Sequence, residues 1–263
     1  DGVKVQAGQN IVFNFNGKTY EMNGQTVGSV GTETNGFQLL KGSEVTMKNG
    51  TIEQSLHGCK IMIQNYTNLV LEDMVLDART PEGATPGTWI CEYVLSNNCG
   101  NTVIKGATNI IAAEGQAAFD LWFGLNAAGL YDEGVTVTFD ESFTGTVEGI
   151  VEYGAETAAV GRVPNWKERT VLTINGNGTF NVTLRSGNTA SITDLSEANI
   201  VRNGGVFNMV SVTREGSVSY FQTLPEAVAA IPADGVLTEV KLLNDLSGDG
   251  VKVQAGQNIV FNF

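Results

Sequence analysis

Apolar and polar positions alternate along this chain in short runs that can be laid over one another. Phe13-Asn14-Phe15-Asn16-Gly17, Val45-Thr46-Met47-Lys48-Asn49, Leu69-Val70-Leu71-Glu72-Asp73 and Thr102-Val103-Ile104-Lys105-Gly106 share one pattern. Apolar or β-branched residues stand at positions one and three, and Gly, Asn or Asp stands at position five. A second short run follows in Thr51-Ile52, Val75-Leu76 and Thr108-Asn109-Ile110. The five-residue pattern returns as Leu172-Thr173-Ile174-Asn175-Gly176 and Asn199-Ile200-Val201-Arg202-Asn203. A period of two predicts strands with one inward face. Gly, Asn and Asp hold positive φ at low cost, so position five predicts a corner between two strands. The corners at 17, 49, 73 and 106 lie 32, 24 and 33 residues apart. Stacked coils of strands with loop insertions fit that spacing.

Asn16-Gly17, Asn23-Gly24, Asn49-Gly50 and Asn175-Gly176 are also two-residue hairpin signals, so an antiparallel sandwich is the alternative. Residues 134–185 alternate clearly and fit either further coils or a small sandwich-like insertion. One helix stands out near residues 223–231. Thr223 is its N-cap, Pro225 sits in its first turn, Glu226 completes a capping box, and Leu224, Val228 and Ile231 share a face. It reads as a lid over the open end of a stacked sheet.

The first fifteen residues, Asp1 to Phe15, and the last fifteen, Asp249 to Phe263, are identical, at an offset of 248 residues. Self-similarity at so long a period predicts a tandem repeat. Duplication of a short segment is the other explanation. The chain has neither an initiator Met nor a signal-like start, so it is expected to begin inside something longer. Residues 1–211 are expected to form the solenoid body of one unit, with 111–170 an insertion or irregular coils. Residues 212–263 are expected to hold the capping helix and the first coil of the next unit. Asp1, Phe15, Asp249 and Phe263 bound the junction segments.

The helix from Tyr220 to Ile231, the run Glu239-Val240-Lys241-Leu242-Leu243 and the run Asn258-Ile259-Val260-Phe261-Asn262-Phe263 resemble large bacterial surface proteins. In those, a similar helix opens a pectin-lyase-like right-handed parallel β-helix. The likeness covers residues 212–263 and 1–110 best. It implies an all-β fold, an exported cell-surface location, and adhesion or polysaccharide contact. Polysaccharide lyases of this fold pair an acidic calcium cluster with an Arg or Lys base. Glu72-Asp73 and Asp77-Ala78-Arg79 come nearest to that arrangement, and they equally fit solvated corners.

Composition narrows the functions further. Hydrophobic residues make up 42% of the 263, so the chain folds, and 32 glycines against 5 prolines suit many tight turns. A formal charge of −13 disfavours nucleic acid and anionic membrane surfaces as partners. No apolar run is long enough to span a bilayer. Cys59, Cys91 and Cys99 lack zinc spacing and read as buried thiols. On the coil register Cys59 and Cys91 stack one rung apart, where a disulfide is geometrically awkward. His57 is the sole histidine, so neither a His-paired nucleophile nor a multi-His metal site is expected.

Asp245-Leu246-Ser247-Gly248-Asp249-Gly250 matches half of a calcium loop but has Gly256 where the bidentate acid belongs, so a plain turn competes with calcium there. Trp122, Tyr131, Asp132 and Glu133 could form a platform on which a sugar stacks; packing of that aromatic run onto the solenoid side is the alternative. No catalytic residues, metal site or cofactor are expected. The leading expectation is a structural repeat of an extracellular bacterial surface fibre, stalk or adhesin, with neighbouring copies of itself as partners. A carbohydrate-binding or tailspike-like adhesin is the alternative, and a polysaccharide lyase comes third.

Overall fold

The computed structural model describes residues 2–24, 27–29, 32–55, 58–83, 90–124, 133–156, 161–187 and 198–263. Its main sheet has 17 strands, joined almost wholly by parallel pairing, and winds into a three-faced solenoid. The second face shows the ladder best. Residues 10–14 pair with 44–48, these with 68–72, then with Asn101–Lys105, Val135–Phe139, Thr170–Ile174 and Asn199–Arg202. The first face runs from Val3–Val5 through 37–39, Ile61–Asn65, Tyr93–Asn98 and Ala117–Phe123 to 150–155 and 183–186. The third runs from 18–22 through 50–53, 74–77, Asn109–Ile111, 146–149 and 179–182 to Val206–Phe207. The strands Val135–Phe139, Thr146–Ala155, Thr170–Ile174 and Thr179–Ser186 therefore continue the coils, and the sandwich alternative falls. An antiparallel pair joins Val27–Ser29 to Thr32–Leu39.

Four of the corner residues expected from sequence take positive φ: Gly17 (71°), Asn49 (57°), Asp73 (52°) and Gly106 (59°). Gly176 and Asn203 do not; in the last coil the left-handed residue is Gly205, at 86°. Corner length separates Asn49 and Asp73 from Gly176, while Gly106 keeps its positive φ in a corner of three residues, 106–108. Asn49 turns the chain within the single strand Glu44–Gln54, so one residue takes the whole bend. Strands Thr170–Ile174 and Thr179–Ser186 are separated by residues 175–178, which share it.

Inward positions stack in register, as with Val45, Leu69, Val137 and Leu172, all nearly inaccessible. Burial of each such side chain contributes roughly 1.5–3 kcal/mol. Aromatic rings fill the late coils: Phe139 lies 4.7 Å from Phe143 and 4.9 Å from Phe180, and Phe180 stacks on Phe207 at 4.8 Å. The ladder ends where the Arg202 guanidinium sits 4.2 Å over the Phe207 ring.

Residues 210–263 form a separate module. Val210–Arg214 pairs antiparallel with both Ser217–Phe221 and Leu237–Leu242, and Leu237–Leu242 pairs parallel with Asn258–Asn262. The helix is Leu224–Ala229, with Thr223 as N-cap and both bonds of the capping box to Glu226 present. Its buried Ala227, with Ile231, packs on Val210, Val212 and Val240, so it covers the face of this small sheet. Asn244 ties the module to the solenoid by accepting from the Leu184 N–H at 2.8 Å and donating to the Val182 carbonyl at 2.7 Å.

Candidate functional site

The duplicated segment forms the same local structure twice. Gln9 donates its backbone N–H to the Gln6 carbonyl at 3.2 Å, and Gln257 to the Gln254 carbonyl at 3.1 Å. The Gln9 side-chain oxygen accepts from the Gln6 N–H at 2.6 Å, and the Gln257 oxygen from the Gln254 N–H at 2.8 Å. Gly8 and Gly256 both take positive φ, at 81° and 91°. The copies differ in their neighbours. Val3–Val5 is a strand because residues 37–39 lie beside it, whereas 251–253 has no such neighbour among the described residues and is irregular. Of the junction-bounding residues, Phe15 is half-buried, Asp249 and Phe263 are exposed, and Asp1 lies outside the described residues.

A polar column crosses the first face. Gln38, Gln64, Ser96, Asp120, Glu152 and Arg185 are successive register partners, with neighbouring strands about 4.8 Å apart. The Asp120 carboxylate accepts from the Ser96 hydroxyl at 3.1 Å and the Asn97 N–H at 2.5 Å. Glu152 accepts from the Tyr93 hydroxyl at 2.6 Å and from Arg185 Nε at 3.0 Å. Burial pushes the Asp120 carboxyl up to about 8, over the opposing effect of its hydrogen bonds, and the Glu152 charge adds to the rise. Burial, then the bond to Glu152, raises Tyr93 as well.

A protonated carboxyl beside a carboxylate has the composition of an acid–base pair. Asp120 and Glu152 are only 6% and 4% exposed, however, and neither lines the groove around Arg79 or the one beside Gln257. The pair is placed to fix coil register, since a slip would strand buried charge. The column becomes visible only once the rungs are aligned.

On the third face Glu21, Glu53 and Asp77 stand on successive rungs. With Gln54, Ser55 and Arg79 they line a groove of about 430 Å³. Arg79 Nε donates to Asp77 at 2.9 Å, and that bond raises the Arg79 pKa. Asp73, by contrast, is spent on its corner, where its Oδ1 accepts from the Ala107 N–H at 2.9 Å.

Trp122 lies half-buried over Gly154 and Gly187, where an added Cβ would come within 3.1 and 2.8 Å of its ring. Glu133 is exposed and ion-paired with Lys41 at 2.5 Å. Tyr131, Asp132 and His57 lie outside the described residues. Cys59, Cys91 and Cys99 are buried free thiols, and a hydrogen bond with Cys59, then burial, raises Cys91 well above the ordinary range. Residues 245–250 run irregularly, and no three acidic, Cys or His side chains converge as a metal site among the described residues. Comparison with models of known families, with curated proteins and with solved structures gives no match. What stands is an all-β chain with a parallel solenoid, in which one fifteen-residue segment occurs both at the start of the solenoid and in the terminal module.

Proposed function

We propose that this chain is a structural repeat unit of an extracellular bacterial surface fibre or stalk, built as a tandem array with a 248-residue period and related to the pectin-lyase-like β-helices. The observation that carries the reading is the fifteen-residue identity, whose copies share one turn and one strand geometry against different neighbours. A solenoid leaves its terminal rungs open, so each copy gains burial by stacking on the next. Its partners are then neighbouring copies, and a charge of −13 keeps such an array soluble. The parent reading frame tests this: further copies at the same period are expected on either side, and a single copy flanked by unrelated sequence contradicts it. Immunogold labelling of intact cells tests the location, with signal on the outer surface expected.

The groove of about 430 Å³ favours a second reading, sugar contact by an adhesin, because its carboxylates and guanidinium suit hydroxyl groups. Proton abstraction is a weaker use of it, since Asp77 holds Arg79 in its charged form. Glycan-array binding lost in Arg79→Ala but kept in Trp122→Ala would locate the contact in the groove. Binding to no glycan at all removes this reading.

A further inference from the structure

The two copies of the repeated segment use opposite edges of the same strand. Residues 10–14 pair with 44–48, the coil that follows them; Asn258–Asn262 pairs with Leu237–Leu242, the strand that precedes it. Among the described residues neither copy pairs on its other edge. The atoms used are complementary. The Gly8 N–H donates forward to the Gly42 carbonyl at 2.8 Å, while the Gly256 carbonyl accepts from behind, from the Gly235 N–H at 2.8 Å. The Asn14 side-chain oxygen accepts from Asn49 Nδ2 at 3.3 Å, while Asn262 Nδ2 donates back to Glu239 at 2.9 Å.

Gln257 Nε2 donates to the Val228 and Ile231 carbonyls at 2.9 and 2.6 Å, closing the helix end. Its counterpart Gln9 is exposed. Inward side chains divide in the same way. Ile11 and Phe13 pack on the solenoid core, and Ile259 and Phe261 on the core of the terminal module. Val5 is fully buried against the next coil, whereas Val253 is 44% exposed without one.

We propose that this segment is a shared strand: a single copy pairs along both edges at once, with Leu237–Leu242 of one unit behind it and residues 44–48 of the next ahead. The terminal module of one unit and the solenoid of the following unit then form one continuous parallel sheet, with no flexible joint between them. No atom is claimed twice: alternate residues of a parallel strand bond to opposite edges, Gly8 gives its N–H where Gly256 gives its carbonyl, and Asn14 gives its side-chain oxygen where Asn262 gives its Nδ2. This deepens the array reading and rests on it, but it is tested separately.

The test compares the present chain with one in which residues 16–263 are repeated once more after Phe263. Residue-resolved hydrogen exchange should show alternate amides protected in each terminal copy of the strand, and all of them protected in the middle copy. A middle copy that keeps the half-protected pattern of Asn258–Asn262, while the coils of both units are protected, overturns the shared strand. The array reading would survive that result, since it is judged by the parent reading frame.

A single-unit variant guards against misfolding of the longer chain. Ile259→Pro should release the Leu237–Leu242 edge and let residues 1–15 of a second molecule take it, giving end-to-end association in sedimentation that Ile11→Pro then abolishes. A variant that stays monomeric up to its solubility limit also overturns the proposal.

Discussion

Side chains that hold positive φ at low cost decide where each coil turns. Asp73 does so at φ 52° and also accepts the Ala107 N–H of the next coil at 2.9 Å. Asp73→Ala loses both and should cost about 1–3 kcal/mol in chemical denaturation, with Asp73→Asn costing less. These corners could be read from sequence because a left-handed residue falls at the expected position; Gly176 and Asn203 misled because neither takes positive φ, and in the last coil Gly205 does instead. Asp120 is a different case, since its meaning depends on register. Burial holds its carboxyl up to about 8, so the folded chain keeps a proton that the unfolded chain releases from 3.8 upward. Its contribution to stability is therefore full at acid pH, falls as pH rises, and is gone above about 8. Asp120→Asn stays neutral and should remove that part of the slope while keeping an acceptor for Asn97. Denaturation midpoints with the same pH slope in parent and variant would contradict this. The groups facing Asp120, namely Ser96, Glu152 and through it Tyr93 and Arg185, come from strands too far apart in sequence to be associated without the ladder.

The helix was readable as a whole element, because its start signals are local. Thr223 accepts from the Glu226 N–H at 3.3 Å, and Glu226 accepts from the Thr223 N–H at 3.2 Å. Thr223→Ala should therefore cost about 1 kcal/mol and speed exchange of the helix amides. What it packs on was less evident, since the small sheet beneath it is assembled from four strands spread over residues 210–262. Its far end depends on the repeat. Gln257→Ala removes two donors to the last carbonyls and should loosen the helix by about 1 kcal/mol. Gln9→Ala removes the same side chain where no helix lies beside it among the described residues, and should leave helix exchange unchanged. Equal effects from the two substitutions would mean that the copies are not seated as described. The strand at 3–5 and its irregular copy at 251–253 make the same point: identical residues become strand only where a neighbouring rung is present.

At the scale of the whole molecule, stability comes from stacking like on like along three faces rather than from one closed core. That arrangement was visible in the spacing of the corners, and it separated coils from hairpins only by implication, because Asn-Gly pairs serve both. Register settles the matter physically: Val45–Leu69, Leu69–Thr102 and Thr102–Val137 are partners in pairings that advance together along both strands, as parallel coils require. The terminal aromatic stack and the polar column then fix which rung lies on which. The most direct measurement is the interstrand NOE pattern of the second face. The account predicts contacts linking Thr46 to Val70, Val70 to Val103 and Thr138 to Thr173, each advancing in step along both strands. Contacts that advance along one strand while retreating along its partner would show hairpins, and would contradict it.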